Sequence, residues 1–453
     1  MKNLLKPGSI ALGLALMPLT PLCYSQIGGP TPPHNVIYWN GDSTELQTLA
    51  SSPYTDVIVN FVVPDSNCNL GSNGNLESDI AASVQTLHDA GKTVLVSFGN
   101  AGSGQYAACA SMVSSLAGQL AGIVQNNGFD GVDIDFEDTS AFQGQAGYDG
   151  VDFLTQLTNN LYNQLQQQQP WPIITHAPAT PYWLQNYSYS QPPYVSIFYN
   201  TVGEIAWFNN QTYNNCTDGP PATDCTAQQK ISDYQSIVGV VGEAKRVVMG
   251  LPVSTCATGA NNNCTGDGYI PLDNDPNGND MRTVISTLQA DYPFQFGGIM
   301  GWNYLRDLSD DNGSWGTAIS GALIQYQPTW VGANIKTGLC LDTGNYNANN
   351  GNVYTDTCTG SSSQNWQFKV NTIVDAQTGL CLDSNYNGNV YTDSCNTGNF
   401  QNWEFYGGSI FDRRTGRCLQ DNNGTVVTAA CNVGNLYQAW TSENLPGYVG
   451  PTQ

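Results

Sequence analysis

An acidic segment within residues 129–138 carries the side chains best suited to chemistry. Its sequence, FDGVDIDFED, places Asp133, Asp135 and Glu137 two residues apart, with apolar residues between them. Side chains alternate between the faces of a β-strand, so a strand here would present all three carboxyl groups on one face. In a recess, their mutual repulsion and partial loss of solvent would raise the pKa of at least one. Such a group suits a general acid working near neutral pH.

Two other interpretations of this segment stay open from these ten residues alone. Asp-x-Asp spacing also occurs in sites for hard metal ions. The acidic end of a strand can also be ordinary solvated surface. The choice between catalysis, metal binding and surface therefore depends on the rest of the chain.

Composition limits the class of protein and of partner. The 453-residue chain is long enough for two or three domains, and its formal net charge of −23 argues against nucleic acid and anionic membranes as partners. Its many Tyr and Trp rings and Asn amides suit neutral sugars.

The N-terminal sequence has the pattern of a secretory signal peptide. Two lysines within the first six residues precede the apolar run IALGLALM (residues 10–17) and a possible cleavage site after Ser25. The predicted signal peptide is therefore residues 1–25. We expect a protein that is secreted, either extracellular or periplasmic on the way out, and no membrane-spanning segment.

The cysteines indicate disulfides. One of the 13, Cys23, lies in the predicted signal peptide, which leaves an even number. An even number in an exported chain favours disulfides over zinc binding or thiol chemistry, although spacing alone does not fix their connectivity. Pairing of sequence neighbours is expected, as Cys68–Cys109, Cys216–Cys225, Cys256–Cys264, Cys340–Cys358, Cys381–Cys395 and Cys418–Cys431.

Short β-branched runs alternate with helical patterns over residues 26–325. The predicted strands are 36–39, 56–63, 93–98, 130–137, 172–176, 205–213, 247–251 and 298–302. Apolar residues at helical spacing lie between them, for example from Met112 to Ile123. Eight strands alternating with helices fit an α/β fold, the (β/α)8 TIM barrel, whose active site lies at the C-terminal ends of the strands. The three acids end the fourth predicted strand, as that fold requires.

After a predicted linker at 326–332, the sequence repeats three times. The segment Thr337–Asp342 (TGLCLD) recurs at Thr378–Asp383 and, as TGRCLQ, at Thr415–Gln420. Each copy ends in Gln-x-Trp, at Gln364, Gln401 and Gln438. Such short copies cannot bury a core alone, which predicts an all-β domain of threefold pseudosymmetry over 333–445. We expect the Gln-x-Trp residues to belong mainly to its core.

The first domain resembles glycoside hydrolase family 18, the chitinases and their relatives. The family signature Asp-x-x-Asp-x-Asp-x-Glu is intact here as Asp130, Asp133, Asp135 and Glu137. Further similarities lie at other predicted strand ends, at 97–100 (SFGN, where Asn100 replaces a Gly), 177–182 (APATPY), 207–214 (WFNNQTYN) and 298–302 (GIMGW).

The resemblance implies roles for these residues. Glu137 would protonate the glycosidic oxygen, and the substrate's own N-acetyl carbonyl would be the nucleophile, an exception to the two-carboxylate scheme. Asp135 would hold the acetamide N–H, Asp133 would share a proton with Asp135, and Tyr213 would donate to the acetamide oxygen. Asp130 would be structural. The expected substrate-binding residues are Trp302, Gln211, Asn214, Tyr38, Ser97 and Tyr182, with no metal and no cofactor.

The repeated domain resembles the ricin-B-type lectins, which are sugar-binding β-trefoils. Asp342 and Asp383 match the sugar-site aspartate of that family. The resemblance implies that Asp342, Asp383, Gln364 and Gln401 form the sugar-binding sites of copies one and two. The third copy has Gln420 instead, so its site is expected to be lost.

Together the two resemblances imply a monomeric secreted endo-chitinase with a carbohydrate-binding module. Its substrate would be chitin or another glycan containing N-acetylglucosamine, cut at β-1,4 linkages. The alternatives are an endo-β-N-acetylglucosaminidase acting on the chitobiose core of N-glycans, a non-catalytic chitin- or glycan-binding lectin, and a metal-dependent hydrolase.

Overall fold

The structure is a computed structural model. It describes residues 32–41, 43–72, 80–100, 106–168, 172–184, 189, 191–215, 225–257, 268–273, 275–292, 295–324, 331–344, 351–369, 372–396, 399–406, 409–432 and 434–442. The predicted signal peptide and most of the predicted linker lie outside these residues.

The apolar runs of the first domain form a closed parallel barrel. Its strands are β1 (His34–Trp39), β2 (Asp56–Pro64), β4 (Thr93–Asn100), β5 (Gly131–Phe136), β6 (Ile173–His176), β7 (Trp207–Gln211), β8 (Val247–Pro252) and β9 (Gly298–Trp302), and a short β3 (Leu70–Ser72) pairs antiparallel with β2. Each strand pairs with its sequence neighbour, and β9 pairs with β1 to close the ring. The TIM barrel prediction is confirmed, and every predicted barrel strand lies within two residues of the observed bounds.

Helices cover the outside of the barrel. They are α1 (Ser43–Thr48), α2 (Ile80–Asp89), α3 (Tyr106–Cys109), α4 (Val113–Asn127), α5 (Thr139–Phe142), α6 (Gly150–Leu165), α7 (Pro193–Asn200), α8 (Ala227–Val241), α9 (Met281–Asp291), α10 (Tyr304–Asp311) and α11 (Ser314–Ile324). The predicted apolar stripe of α4 is correct at Leu116 and Leu120 but wrong at Met112. Met112 precedes the helix and is 41% exposed, and Val113 occupies the buried position.

The repeated sequence forms a second, all-β domain. Its strands are β10 (Gly332–Asn334), β11 (Leu339–Asp342), β12 (Gly351–Asn352), β13 (Tyr354–Thr357), β14 (Trp366–Lys369), β15 (Thr372–Asp375), β16 (Cys381–Ser384), β17 (Val390–Asp393), β18 (Trp403–Tyr406), β19 (Ser409–Asp412), β20 (Arg417–Asp421), β21 (Val426–Ala430) and β22 (Trp440–Ser442). They form three sheets, and the last strand, β22, pairs with the first, β10, so the three copies close on one another.

One tryptophan from each copy fills the shared interior of this domain. Trp366, Trp403 and Trp440 are at most 1% exposed. Each indole N–H donates to the carbonyl of a leucine in its own copy, at 3.1 Å, 2.8 Å and 3.0 Å in turn. The tryptophans therefore both fill the core and satisfy buried backbone groups.

Four of the expected disulfides are formed. They are Cys68–Cys109, Cys340–Cys358, Cys381–Cys395 and Cys418–Cys431, each with Cα atoms 5.0 Å apart. Cys225 and Cys256 are also disulfide-bonded. Their expected partners, Cys216 and Cys264, lie outside the described residues.

No helix in the described part of the chain combines the length and the apolar character needed to cross a membrane.

Replacing Trp403 by Phe should destabilise the repeated domain by about 2–4 kcal/mol, because it leaves a small cavity and an unsatisfied Leu382 carbonyl. The test is urea denaturation of the full-length protein, with the domain followed through hydrogen exchange of its core amides. Tyr386→Phe is the control, since Tyr386 is 63% exposed, and its effect should stay within about 0.5 kcal/mol. An equally small effect of Trp403→Phe would contradict the packing described above.

Candidate active site

Asp133 lies inside the barrel, where side chains from four other strands donate hydrogen bonds to its carboxylate. The donors are Tyr38 Oη at 2.7 Å and Ser97 Oγ at 2.9 Å on Oδ2, and Thr175 Oγ1 at 2.6 Å and Asn209 Nδ2 at 3.1 Å on Oδ1. Asp133 is fully buried. Burial raises the pKa of Asp133, and these four hydrogen bonds oppose the rise. Uncharged side chains of the barrel thus donate all four of these hydrogen bonds to a buried carboxyl group.

The next acid, Asp135, is held in a shared network with Glu137. Burial, followed by the negative charges of Glu137 and Asp133, raises the pKa of Asp135 well above its usual range. The carboxyl groups of Asp135 and Glu137 hydrogen-bond each other. The Nε2 atom of Gln211 donates to Asp135 Oδ1 at 2.9 Å, to Glu137 Oε1 at 3.1 Å and to the Ala177 carbonyl at 3.0 Å. One neutral amide therefore bridges two neighbouring carboxyls.

Glu137 follows the end of β5 and is partly exposed in the cleft. The turn after it is fixed by Asp138, whose carboxylate caps α5 by accepting from the Ser140 and Ala141 amides. Tyr148 donates to the other carboxylate oxygen of Asp138 at 2.8 Å. This turn fixes the backbone from which the Glu137 side chain extends.

A cleft of about 910 Å³ opens at the C-terminal ends of the strands. Of the residues predicted from the sequence, it is lined by Tyr38, Asn100, Asp135, Glu137, Gln211, Tyr213, Asn214 and Trp302. An aromatic group forms part of the wall, because Phe61 stacks on Trp302 with ring centroids 6.1 Å apart and Tyr38 tilts against Trp302 at 5.5 Å. Acids and flat apolar rings thus face the same space, as sugar binding requires.

Tyr213 presents a protonated hydroxyl beside the acids. Burial is the first cause of its pKa being raised well above the usual range, and the charges of Asp135 and Glu137 add to the rise. The backbone of Gly268 packs on it closely, since a Cβ at Gly268 would lie 2.6 Å from Tyr213 Cα. Tyr213 can therefore donate a hydrogen bond but does not serve as a base near neutral pH.

Two predicted substrate-binding residues lie elsewhere. Ser97 is fully buried and donates to Asp133, and Tyr182 is 5% exposed with its hydroxyl 3.2 Å from that of Thr139. The Tyr182 ring packs parallel to Tyr194 with centroids 6.0 Å apart. Neither lines the cleft, because Ser97 hydrogen-bonds Asp133 and Tyr182 packs against Tyr194.

Three residues that the sequence reasoning missed contribute to the site. Thr175 and Asn209 hold Asp133, and Phe61 lines the cleft. Strand alternation could have indicated Asn209, since it lies two residues before Gln211 on the same strand. No comparable signal marks Phe61, because the pairing of β2 with β4 shifts register between Val59 and Val62.

In the repeated domain, each predicted Asp–Gln pair comes together. Gln364 Nε2 donates to Asp342 Oδ2 at 2.8 Å, and Gln401 Nε2 donates to Asp383 Oδ2 at 2.7 Å. Both aspartates are 6% exposed. In the third copy, Gln438 Nε2 donates instead to the amide oxygen of Gln420 at 3.0 Å. All three copies therefore form this hydrogen bond, but only copies one and two form it with a carboxylate.

Within the described residues, no group of three His, Cys, Asp or Glu side chains is arranged to hold a metal ion.

Comparison with known proteins places both domains in families. The model of glycosyl hydrolases family 18 matches residues 34–367, and the model of the ricin-type beta-trefoil lectin domain matches residues 332–440. No curated protein matches the chain significantly.

Solved structures resemble the barrel. A family 18 chitinase from Pseudoalteromonas aurantia is 33% identical, with a TM-score of 0.53, and the match covers 64% of this chain and 99% of that one. A family 18 chitinase from Chromobacterium violaceum is 18% identical, with a TM-score of 0.51, and the match covers 67% of this chain and 86% of that one. A fungal endo-beta-N-acetylglucosaminidase of family 18 is 20% identical, with a TM-score of 0.47, over 64% of this chain and 97% of that one.

Replacing Asp135 by Asn should stabilise the protein at pH 7. The pKa of Asp135 is raised in the folded state, so folding favours its protonated form, and its contribution to stability is lost as the pH rises above the unfolded-state value near 4. An amide keeps the partners of the protonated acid and cannot ionise. We expect a gain on the order of 1 kcal/mol at pH 7 that disappears below about pH 4.

Thermal unfolding of both proteins at pH 7 and pH 3.5 measures this difference. The control is Asp356→Asn, since Asp356 is exposed on β13 and should change stability little at either pH. A loss of stability in Asp135→Asn at pH 7 would show that Asp135 is not held in its protonated form.

Proposed function

Since the chain belongs to glycosyl hydrolase family 18, we propose that it is a chitinase that cleaves β-1,4 linkages between N-acetylglucosamine units. The observation that carries the proposal is the pair of carboxyls, Asp135 and Glu137, that Gln211 bridges at 2.9 Å and 3.1 Å in a cleft that also holds the neutral hydroxyl of Tyr213. These three groups supply a proton donor, an acceptor for an amide N–H and a donor for an amide oxygen. An N-acetyl group is the substrate feature that uses the last two.

In the proposed reaction, Glu137 protonates the glycosidic oxygen as the bond to the anomeric carbon breaks. The acetamide oxygen of the same sugar attacks that carbon and forms an oxazolinium ion, so no protein carboxylate becomes a nucleophile. With substrate bound, the proton of the Asp135–Glu137 pair lies on Glu137, so Asp135 is the carboxylate that accepts the acetamide N–H and stabilises the positive charge. Tyr213 orients the acetamide oxygen. Water then opens the ring, Glu137 accepts its proton, and the configuration is retained.

The remaining residues of the site support this sequence of steps. Asp133 is held by four neutral donors and lies behind Asp135, where its charge is one of the causes that raise the pKa of Asp135. Trp302 with Phe61 provides a flat apolar surface for the sugar whose acetamide reacts. No described residue lining the cleft other than Arg306 carries a positive charge, which suits a neutral glycan.

We further propose that the trefoil domain binds glycan and that the protein is exported. A weak binding module joined to a catalytic domain raises the local concentration of the enzyme on an insoluble polymer. The disulfides of both domains support export, because such bonds persist in oxidising compartments.

The purified enzyme should cleave chitin oligomers and leave fully deacetylated chitosan intact, because chitosan lacks the attacking acetamide. Glu137→Gln should lose at least about a thousandfold in turnover, given the usual contribution of acid catalysis together with the disturbed shared proton. Product analysis by chromatography measures both. Cleavage of chitosan at the rate of chitin would contradict the mechanism.

A high-mannose glycoprotein serves as the competing substrate in the same assay. The same catalytic residues would serve an enzyme that cuts the chitobiose core of N-glycans. Rapid glycan release with chitin untouched would replace the chitinase proposal with that activity.

Replacing Gln211 by Leu should lower kcat about 10- to 100-fold with a smaller change in KM. The amide hydrogen-bonds both carboxyls, and a hydrogen bond to a charged group contributes about 1.5–3 kcal/mol. Steady-state kinetics on a soluble chitin oligomer measure the effect.

Asn100→Ala is the matched control, since Asn100 also lines the cleft. Its backbone amide donates to the Tyr106 hydroxyl at 3.1 Å, and the substitution keeps that bond. Its change should fall mainly on KM. If Gln211→Leu also changed only KM, the amide would be a substrate contact and not a support for the acids.

A further inference from the structure

The first acid of the signature, Asp130, lies far from the cleft. It immediately precedes β5, whereas Glu137 immediately follows it. Seven residues of extended chain separate the two by about 23 Å. Asp130 is therefore at the N-terminal end of the barrel, opposite the proposed catalytic end, and its carboxylate has no part in the chemistry.

Residues of both domains contact the carboxylate of Asp130. Arg413 of the third trefoil copy approaches Asp130 Oδ1 at 3.2 Å, and its other terminal nitrogen donates to the Lys92 carbonyl at 3.0 Å. On the barrel side, His88 Nε2 lies 2.9 Å from Asp130 Oδ2, and the Val94 amide donates to that oxygen at 2.7 Å. Burial raises the pKa of Asp130, but the charges of Arg413 and His88 outweigh it and lower the value to about 2.

A second contact lies beside the first. A Cβ at Gly91, which has a φ of +78°, would be 3.0 Å from Asn402 Nδ2. Asn402 is 6% exposed, and its carbonyl accepts the Arg413 amide at 3.0 Å. One corner of the trefoil thus fits the segment that connects α2 to β4.

The threefold repeat shows that this corner is specialised. Three residues occupy equivalent places, because each amide donates to the residue before the Trp of a Gln-x-Trp. These pairs are Ile335 with Ala439 at 2.8 Å, Ala376 with Asn365 at 2.8 Å, and Arg413 with Asn402 at 3.0 Å. Only the third copy has a charged side chain at this place, and the third copy is also the one with Gln420 in place of the sugar-site Asp. The copy that has Gln420 in place of the Asp is therefore also the copy whose Arg413 contacts the barrel.

We propose that Arg413 and Asp130 form a docking pair that holds the trefoil against the N-terminal end of the barrel. One strand, β5, then carries the docking carboxylate at one end and the proton donor at the other. A glycan bound by the trefoil and a glycan bound in the cleft are held at opposite ends of the barrel, so the protein engages two separate glycan segments. This arrangement is independent of which bond the cleft cuts.

The test compares Arg413→Ala with Arg414→Ala in the full-length protein. Ala is the residue at the equivalent place of the second copy, so the trefoil backbone accommodates it. Arg414 is the matched control, since it lies in the same turn, is exposed and sits over the Tyr386 ring at 5.9 Å. Small-angle X-ray scattering reports the distance between the domains, and hydrogen exchange of amides 88–94 reports the contact.

Arg413→Ala should increase the maximum dimension and accelerate exchange at amides 88–94 by about fivefold or more. Arg414→Ala should match the parent protein in both. In the parent protein, 1 M salt shortens the screening length to about 3 Å and should change scattering and exchange in the same direction. Arg413→Lys, which keeps the charge but not the forked geometry, should lie between the parent and Arg413→Ala.

The proposal is overturned if Arg413→Ala behaves as the parent protein does, or if both arginine variants open the structure equally. Should Arg413→Ala fail to fold, the parent protein in salt and the Lys variant decide the question in the same way. Neither readout depends on turnover, so failure of the chitinase assay and failure of the docking pair are told apart.

Discussion

The structure depends on aligning three acids along β5, with Asp133 and Asp135 buried on the strand and Glu137 just beyond its end. Each lies closer to the cleft than the one before it, and the described side chains that hydrogen-bond Asp133 and Asp135 are all uncharged or acidic. Asp133 is satisfied by hydroxyls and an amide from four different strands, so its environment exists only when the barrel is closed. Asp135 hydrogen-bonds Glu137, and burial together with the charges of Glu137 and Asp133 raises its pKa well above the usual range. The proposed reaction uses a proton held at this pair of carboxyls.

This constraint explains why similar side chains take different roles. Asp133 is fully buried and held by hydrogen bonds from four other strands, while Glu137 reaches the cleft where a proton can be delivered. Gln211 connects the buried Asp135 to Glu137, because its amide nitrogen contacts both of these carboxyls and a backbone carbonyl. Asp130, at the other end of the same strand, pairs with the Arg413 guanidinium and keeps its charge. Position along one strand thus gives the four acids different surroundings, from the domain contact at Asp130 to the cleft at Glu137.

Much of the architecture could be predicted from the sequence, since it depends on local periodicity. The alternation of Asp133, Asp135 and Glu137 with apolar residues indicated their common face, and the repeated Gln-x-Trp indicated the trefoil core. The partners of these groups come from distant strands and needed the closed barrel. Thr175 and Asn209 meet Asp133 through strand register, Phe61 enters the cleft after a register shift, and Ser97 supports an acid instead of a sugar. The pairing of Arg413 with Asp130 is a further long-range contact that no local pattern announces.

In the proposed mechanism, Glu137 delivers a proton while the substrate supplies its own attacking group. Proton NMR of the first product released from a chitin oligomer is the decisive measurement, because it records the anomeric configuration before mutarotation. Attack by the acetamide followed by water inverts the anomeric carbon twice, so the initial product should be the β-anomer. An initial α-anomer would show direct attack by water and rule this mechanism out.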